Sequence, residues 1–94
     1  MLNQFVIVGK IVKTESENNN TNIVVAVPRP YKNDNEEYES DMISCVLFGE
    51  IAKNTKAYCK EDDSIGIKGR IQTNEGNMIL IAEKVTFLSS KSSE

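Results

Sequence analysis

Residues 65–72 read IGIKGRIQ, and this stretch does most to decide the fold. Isoleucines occupy one parity of the stretch, while Lys68, Arg70 and Gln72 occupy the other. Alternation with a period of two predicts a β-strand that has one buried side and one solvent-facing side. Glycines interrupt this strand, as Gly9 interrupts the first one, which suits the strongly bent strands of a small barrel.

Four other stretches are rich in β-branched or aromatic residues and are also predicted to be strands: Phe5–Val12, Ile23–Val27, Met42–Phe48 and about Asn77 to Leu88. Residues 50–60 instead carry apolar side chains at helical spacing and few β-branched ones, which predicts a helix. Residues 14–22 and the acidic residues 33–40 are predicted loops, and residues 73–77 a tight hairpin turn in which Gly76 supplies positive φ.

The element order is therefore β-β-β-α-β-β. It predicts an all-β fold, namely a five-stranded OB-fold Greek-key barrel with one short helix between strands 3 and 4. Another small β-barrel is the alternative. One domain over residues 1–88 accounts for the chain, and residues 89–94 are expected to form a short disordered end.

The composition excludes several classes of function. The 94 residues include no His, and the two cysteines, Cys45 and Cys59, do not form a Cys-x-x-Cys pair. Catalysis by a His-activated serine or cysteine is therefore excluded, and a zinc site lacks ligands. We expect no enzyme activity, no cofactor and no metal. No apolar run approaches the roughly 20 residues that span a bilayer, and no signal peptide is evident, so a cytoplasmic location is predicted.

Several segments in order along residues 1–88 resemble the bacterial and phage single-stranded DNA-binding proteins. They are Val8-Gly9-Lys10-Ile11, Ala26-Val27-Pro28-Arg29-Pro30-Tyr31-Lys32-Asn33, Asp41-Met42-Ile43, Val46-Leu47-Phe48-Gly49 and Gly66-Ile67-Lys68-Gly69-Arg70-Ile71-Gln72-Thr73. The resemblance implies an OB-fold that binds single strands as a homodimer or homotetramer, without cofactor or catalysis. Such binding needs aromatic rings for the bases and cations for the phosphates.

The strongest candidate binding cluster is Arg29, Tyr31 and Lys32, because one ring lies between two cations in what is predicted to be a loop. Its alternative is a tyrosine that packs its own loop against the barrel. Phe48 shares strand parity with Met42 and is predicted to face outward, although a core residue at the end of the strand remains the alternative. By resemblance, Tyr31 and Phe48 match stacking aromatics of the family.

Four further basic residues complete the candidate nucleic-acid site: Lys10 and Lys13 from strand 1, and Lys68 and Arg70 from strand 4. A plain solvated edge is their alternative interpretation. The net charge of −3 opposes DNA binding overall. However, the acidic runs 34–41 and 61–63 are expected to be a hairpin tip and a helix–strand turn, away from the groove.

The sequence also departs from the family pattern. Met42 stands where many relatives have an aromatic residue, the turn at 73–77 is short, and we expect the chain to lack the acidic tail of the family. We therefore expect weak binding with a small footprint, in replication, recombination or repair, and a phage or mobile element is one possible source. The alternative function is an OB-fold dimer that docks onto a replication or recombination protein, as primosomal accessory proteins do. RNA binding of the cold-shock type is a third option.

Strand 1 predicts self-association. Val6, Val8 and Val12 occupy the parity opposite to Phe5 and Ile7, and one barrel can bury only one of these faces. A second copy of the chain is expected to cover the other face.

Overall fold

The computed structural model describes residues 2–17 and 20–88. Five strands and one helix follow in the predicted order: β1 (Phe5–Glu17), β2 (Asn20–Lys32), β3 (Tyr38–Phe48), α1 (Gly49–Tyr58), β4 (Ser64–Asn74) and β5 (Asn77–Phe87). The strands form a closed barrel in the order β1-β2-β3-β5-β4, in which the β3–β5 pairing is parallel and the other pairings of neighbouring strands are antiparallel. The predicted five-stranded OB-fold barrel with its inserted helix is confirmed.

β1 closes the barrel by pairing with two partners in succession. Its first half, Phe5 to Lys10, is antiparallel to β4, and the part from Lys10 to Glu17 is antiparallel to β2. Where the two pairings meet, the Ile11 amide donates to the Asp63 carbonyl at 2.9 Å, and the Asp62 amide donates to the Ile11 carbonyl at 2.8 Å. The turn before β4 is thereby fixed to the middle of β1.

The core lies inside the barrel and comes from the apolar parity of each strand. Its completely buried side chains are Ile11, Ile23, Val25, Cys45, Leu47 and Ile65, with Ile67 almost as buried. Cys45 is one of these buried residues, and the parity of β3 and β4 agrees with the expectation. Residues of the opposite parity on the same strands point outward. Their side chains are available for binding, because they do not contribute to the core.

The helix closes one end of the barrel with Ala52 and Thr55, its two buried residues. Gly49 adopts a φ of 57°, which lets the chain turn sharply from β3 into the helix. At the other end of the insertion, the Lys60 amide donates to the Asp63 carboxylate at 2.9 Å. The helix therefore occupies a fixed place between β3 and β4.

The prediction of a loop over residues 14–22 is wrong for residues 14–17 and 20–22, and residues 18 and 19 lie outside the described residues. Thr14 pairs with Ile23, Glu15 with Asn22, and Glu17 with Asn20, so β1 and β2 continue nearly to their connection. The prediction took the polar composition of these residues as the sign of a loop. A hairpin end beyond the core can be solvated on both sides, so its strands need no alternation of apolar residues.

The prediction that β2 ends at Pro28 is also wrong. β2 continues to Lys32, so Arg29, Tyr31 and Lys32 lie in a strand and not in a loop. A register shift between Pro28 and Lys32 accommodates the prolines, which cannot donate a ladder hydrogen bond. Because β3 begins at Tyr38, Glu39 and Asp41 also belong to a strand, and only part of the acidic run forms the expected hairpin tip.

The far parts of β2 and β3 form a two-stranded arm, here taken as residues 28–41. The pairing of β2 with β1 ends at Ala26, and β3 meets β5 only at Cys45 and Val46, so the arm strands pair only with each other. The arm turn is held by the Asn33 side chain, whose Oδ1 accepts from the Asn35 and Glu37 amides at 2.8 and 3.0 Å. The expected disordered end at 89–94 lies outside the described residues.

Candidate nucleic-acid interface

The register of the first three strands brings basic and large side chains to one outer sheet face, here called the lysine face. Lys10 is opposite Ala26, and Ala26 is opposite Met42, which makes one row across β1, β2 and β3. The next row joins Lys13, Val24 and Ser44 in the same way. The lysine face therefore presents two cations beside an exposed methionine.

Phe48 lies at the far end of the same face. It is opposite Asn20, and 48% of it is exposed, so the predicted outward orientation is correct and the core alternative is wrong. Met42, six residues earlier on β3, is 60% exposed. At about 3.3 Å per residue the two side chains stand about 20 Å apart, which is a span of a few nucleotides. They are the two large apolar surfaces of the lysine face.

The two lysines of this face differ in their partners. Lys13 forms an ion pair with Glu15 at 3.0 Å. Within residues 2–17 and 20–88, Lys10 has no ion pair. A lysine without a carboxylate beside it can neutralise a phosphate at no cost in broken contacts, so Lys10 is the better placed cation.

The guanidinium of Arg29 donates hydrogen bonds to two carboxylates of β3, those of Asp41 and Glu39. Its Nη2 donates to Asp41 Oδ1 at 2.7 Å, and its Nε donates to both Asp41 oxygens at 3.2 Å. Its Nη1 donates to Glu39 Oε1 at 2.8 Å. These hydrogen bonds, above all those to Asp41, raise the pKa of Arg29, and the guanidinium in turn lowers the pKa of Asp41. We call these three residues the arginine clamp.

The other two members of the predicted cluster lie on the same arm. Tyr31 is 62% exposed, so it does not pack into the barrel as the alternative interpretation proposed. Lys32 is opposite Tyr38, and its Nζ lies 5.7 Å from the centroid of that ring and 4.0 Å from Glu36 Oε1. Tyr38 is an exposed aromatic that the sequence analysis did not consider.

Lys68 and Arg70 lie on a neighbouring part of the barrel surface, where β4 is flanked by β1 and β5. Lys68 is opposite Val6 on one side and Lys84 on the other. Arg70 donates to Glu83 Oε2 at 3.0 Å and to Gln72 Oε1 at 3.2 Å. The structure therefore brings Lys10, Lys13 and Phe48 together, and it leaves Lys68 and Arg70 beside that face and not on it.

Lys84 was not among the basic residues predicted for the site, because a β-bulge determines its position next to Lys68. The two-residue turn between β4 and β5 would put Glu83 opposite Lys68 in a regular ladder. A register shift between Lys68 and Gly69 puts Lys84 there instead and frees Glu83 to meet Arg70. No sequence signal marks this bulge apart from Gly69 itself.

An exposed apolar groove, here called the valine face, crosses β1, β4 and β5. Val6 is 64% exposed and Val8 53% exposed, and Leu88 lies beside them. The groove has a volume of about 330 Å³, and Lys68 and Lys84 stand at its edge. The two apolar faces predicted for β1 are thus present, one in the core and one on the surface.

Neither a metal-binding cluster nor a membrane-spanning helix is present in the residues that the structure describes. In residues 2–17 and 20–88, no group of three or more His, Cys, Asp or Glu side chains is placed to hold a metal ion. In the same residues, no helix has the length and apolar character needed to cross a membrane.

The closed five-stranded barrel with one helix between β3 and β4 is an OB-fold. A sequence model described as the Single-strand binding protein family matches residues 2–79, and the chain belongs to this family. The family consists of DNA-binding proteins without catalytic activity, so the chain is not an enzyme.

Individual relatives agree with this assignment. The chain is 32% identical to the single-stranded DNA-binding protein B of Bacillus subtilis, over all of this chain and 96% of that protein. It is 35% identical to the single-stranded DNA-binding protein of Halalkalibacterium halodurans, of whose length it spans 65%. Among solved structures, a small single-stranded DNA-binding protein from Mycoplasma pneumoniae has a TM-score of 0.68 at 20% identity, with 100% of this chain and 99% of that chain covered.

Proposed function

We propose that this chain binds single-stranded DNA without sequence preference, with the lysine face as its main contact surface. The observation that carries the proposal is the cross-strand row in which Lys10 and Met42 flank Ala26, with Phe48 further along β3. Flat or polarisable side chains beside cations suit bases and phosphates together. The names of the relatives support the choice of ligand.

Anisotropy titrations of a labelled oligothymidylate test this proposal. Phe48→Ala is expected to weaken binding by about 1–3 kcal/mol, because one stacking surface is lost. Lys10→Ala is expected to reduce the slope of log K against log salt by about 0.7, because one phosphate contact is lost. The matched control for Phe48 is Tyr58→Ala, because the Tyr58 ring is exposed on α1 and packs against Phe87 of β5.

Equal losses in the Phe48 and Tyr58 variants would contradict the assignment of the face.

We also propose that binding is weak and that each subunit covers few nucleotides. Position 42 carries a methionine and not an aromatic ring, the chain has no Trp, and the β4–β5 turn is only two residues long. A dissociation constant in the low nanomolar range would contradict this part of the proposal.

We propose further that the chain forms a homodimer or homotetramer in which the valine face is covered by a second copy. Exposed Val6 and Val8 side chains on a β-strand favour such a contact, since their burial removes apolar area from water. Val8→Asp is expected to lower the molar mass measured by light scattering. Val12→Asp, an exposed valine of β1 outside the groove, is the matched control. A monomeric wild-type chain at high concentration would contradict the proposal.

The proposed cellular role of this binding is in DNA replication, recombination or repair, in the cytoplasm.

One observation favours the alternative of a docking module for a replication or recombination protein: the arm places Glu39 and Asp41 beside its arginine. Under that alternative, Phe48→Ala and Lys10→Ala would leave oligonucleotide affinity unchanged. A large loss in these variants supports the DNA-binding function.

A further inference from the structure

The arginine clamp occupies most of the hydrogen-bonding capacity of Arg29. Three of its five N–H groups are directed at carboxylate oxygens: Nε and one Nη2 proton at Asp41, and one Nη1 proton at Glu39. The bidentate contact with Asp41 is the geometry that a guanidinium also uses to bind a phosphate. A phosphate therefore has to compete with Asp41 for the same edge of Arg29.

The fold of the arm builds this contact. Asp41 is opposite Val27, and the register shift that follows Pro28 leaves Arg29 without a directly opposite residue, so its side chain reaches along β3. Glu39 is anchored from its other side, because its Oε2 accepts from Asn33 Nδ2 at 2.9 Å. Asn33 in turn organises the arm turn through two backbone amides. The register and the turn of the arm therefore position both carboxylates next to Arg29.

The local charge balance of the clamp is negative, since one guanidinium faces two carboxylates. Lys32, the other cation of the arm, has Glu36 beside it. The arm therefore offers an exposed ring at Tyr31 but repels the phosphates that would bring a strand to it. This differs from the lysine face, where Lys10 has no such partner within residues 2–17 and 20–88.

We propose that Asp41, supported by Glu39, withholds Arg29 from the DNA backbone and so limits both the affinity and the footprint of the protein for single strands. The inference rests on the proposed function, because it concerns the extension of that binding surface onto the arm. When Asp41 loses its charge, Arg29 becomes a phosphate contact and the arm joins the binding surface.

A double-mutant cycle tests the proposal. Asp41→Asn keeps the size of the side chain and removes its charge, and it is expected to strengthen binding of an oligothymidylate about 1.5- to fivefold, which is the range of one exposed ion pair. The slope of log K against log salt should steepen by about 0.7, which corresponds to one additional phosphate contact. Arg29→Ala alone should not strengthen binding, and Arg29→Ala combined with Asp41→Asn should abolish the gain.

The matched control is Asp34→Asn. Asp34 lies on the same arm and carries the same charge, but it forms no ion pair or side-chain hydrogen bond within residues 2–17 and 20–88, so its replacement changes net charge without releasing Arg29. Glu39→Gln is the second test variant and should give a smaller gain than Asp41→Asn, because it accepts one hydrogen bond from Arg29. Circular dichroism confirms that each variant is folded.

The proposal is overturned by an equal gain in Asp34→Asn, by no gain in Asp41→Asn, or by a gain that persists in the double variant. The proposed function fails by a different result, namely a wild-type chain that does not bind the oligothymidylate. If the wild type fails to bind and Asp41→Asn binds, the function of the natural chain is contradicted while the restraint on Arg29 is supported.

Discussion

At the scale of single residues, two glycines of the barrel strands stand where no side chain fits. A Cβ on Gly9 would lie 2.1 Å from the Ala26 carbonyl oxygen, and one on Gly69 would lie 1.9 Å from the Ile81 carbonyl oxygen. Both obstacles are backbone atoms, which move only if the strand moves. These two positions allow neighbouring strands to approach each other closely in a small closed barrel.

Gly9→Ala is therefore expected to lower the free energy of unfolding by about 1–3 kcal/mol or more, as overpacking does elsewhere. Gly66→Ala is the matched control in β4, because a Cβ there meets only side-chain atoms at 3.7 Å or beyond. Urea unfolding of both variants gives the comparison. Equal stability of the Gly9 and Gly66 variants would show that the close approach at Gly9 is not a constraint.

Cys45 gives the fold a pH-dependent component. Burial raises the pKa of its thiol from 9.0 to about 11. Because the folded pKa exceeds the unfolded one, this contribution to stability is complete below pH 9.0 and is lost as the pH rises through about 11. Cys45→Ala should therefore lose less stability than the wild type over this interval, whatever its stability at neutral pH. A loss of stability between pH 9.0 and about 11 that is as large in Cys45→Ala as in the wild type would contradict the assignment.

Residue-scale predictions from sequence succeeded where alternation along one strand was enough. The outward position of Phe48 and the inward position of Cys45 both follow from the parity of β3. The arginine clamp was not predictable in this way, because Arg29 meets Asp41 and Glu39 only through a register shift in β2. Such a shift depends on two strands and leaves no signal within either one.

At the scale of elements, the β4–β5 turn shows strong local determination. Glu75 and Gly76 adopt φ values of 54° and 85°, and Asn74 is paired with Asn77 across them. Positive φ at both central positions defines the hairpin turn that favours Asn-Gly. Gly76 was expected to supply positive φ, and the structure confirms it.

Glu75→Asn should raise the free energy of unfolding by about 0.5–1 kcal/mol, because asparagine adopts the left-handed region more readily than glutamate. Glu61→Asn, at an exposed position in the turn before β4, makes the same chemical change and controls for charge. Thermal unfolding followed by circular dichroism suffices. A gain no larger than that of Glu61→Asn would mean that the turn conformation does not limit stability.

The end of β1, both ends of β2 and the start of β3 were the parts that the sequence predicted least well. These segments are polar or proline-rich, and most of their residues lie beyond the barrel core, where burial no longer imposes a pattern on the sequence. What maintains them is pairing with the neighbouring strand. Local propensity therefore located the elements, and non-local pairing determined their lengths.

At the scale of the whole molecule, the barrel separates surfaces of different chemistry. The lysine face carries Lys10 and Lys13, the valine face is apolar, and the arm carries the acidic residues that give the chain its net charge of −3. This separation explains how an acidic protein can belong to a family that binds a polyanion, since the local field governs where a phosphate binds.

The proposed use of the lysine face is tested most directly by methyl-detected NMR of the wild-type chain titrated with an oligothymidylate. Met42 and Ala26 report on the lysine face, and Met78, an exposed methionine near the β4–β5 turn, is the control within the same spectrum. We predict that the Met42 and Ala26 methyl signals shift in proportion to bound oligonucleotide while Met78 is unchanged. Shifts confined to Met78, or to methyl groups of the valine face, would contradict the account.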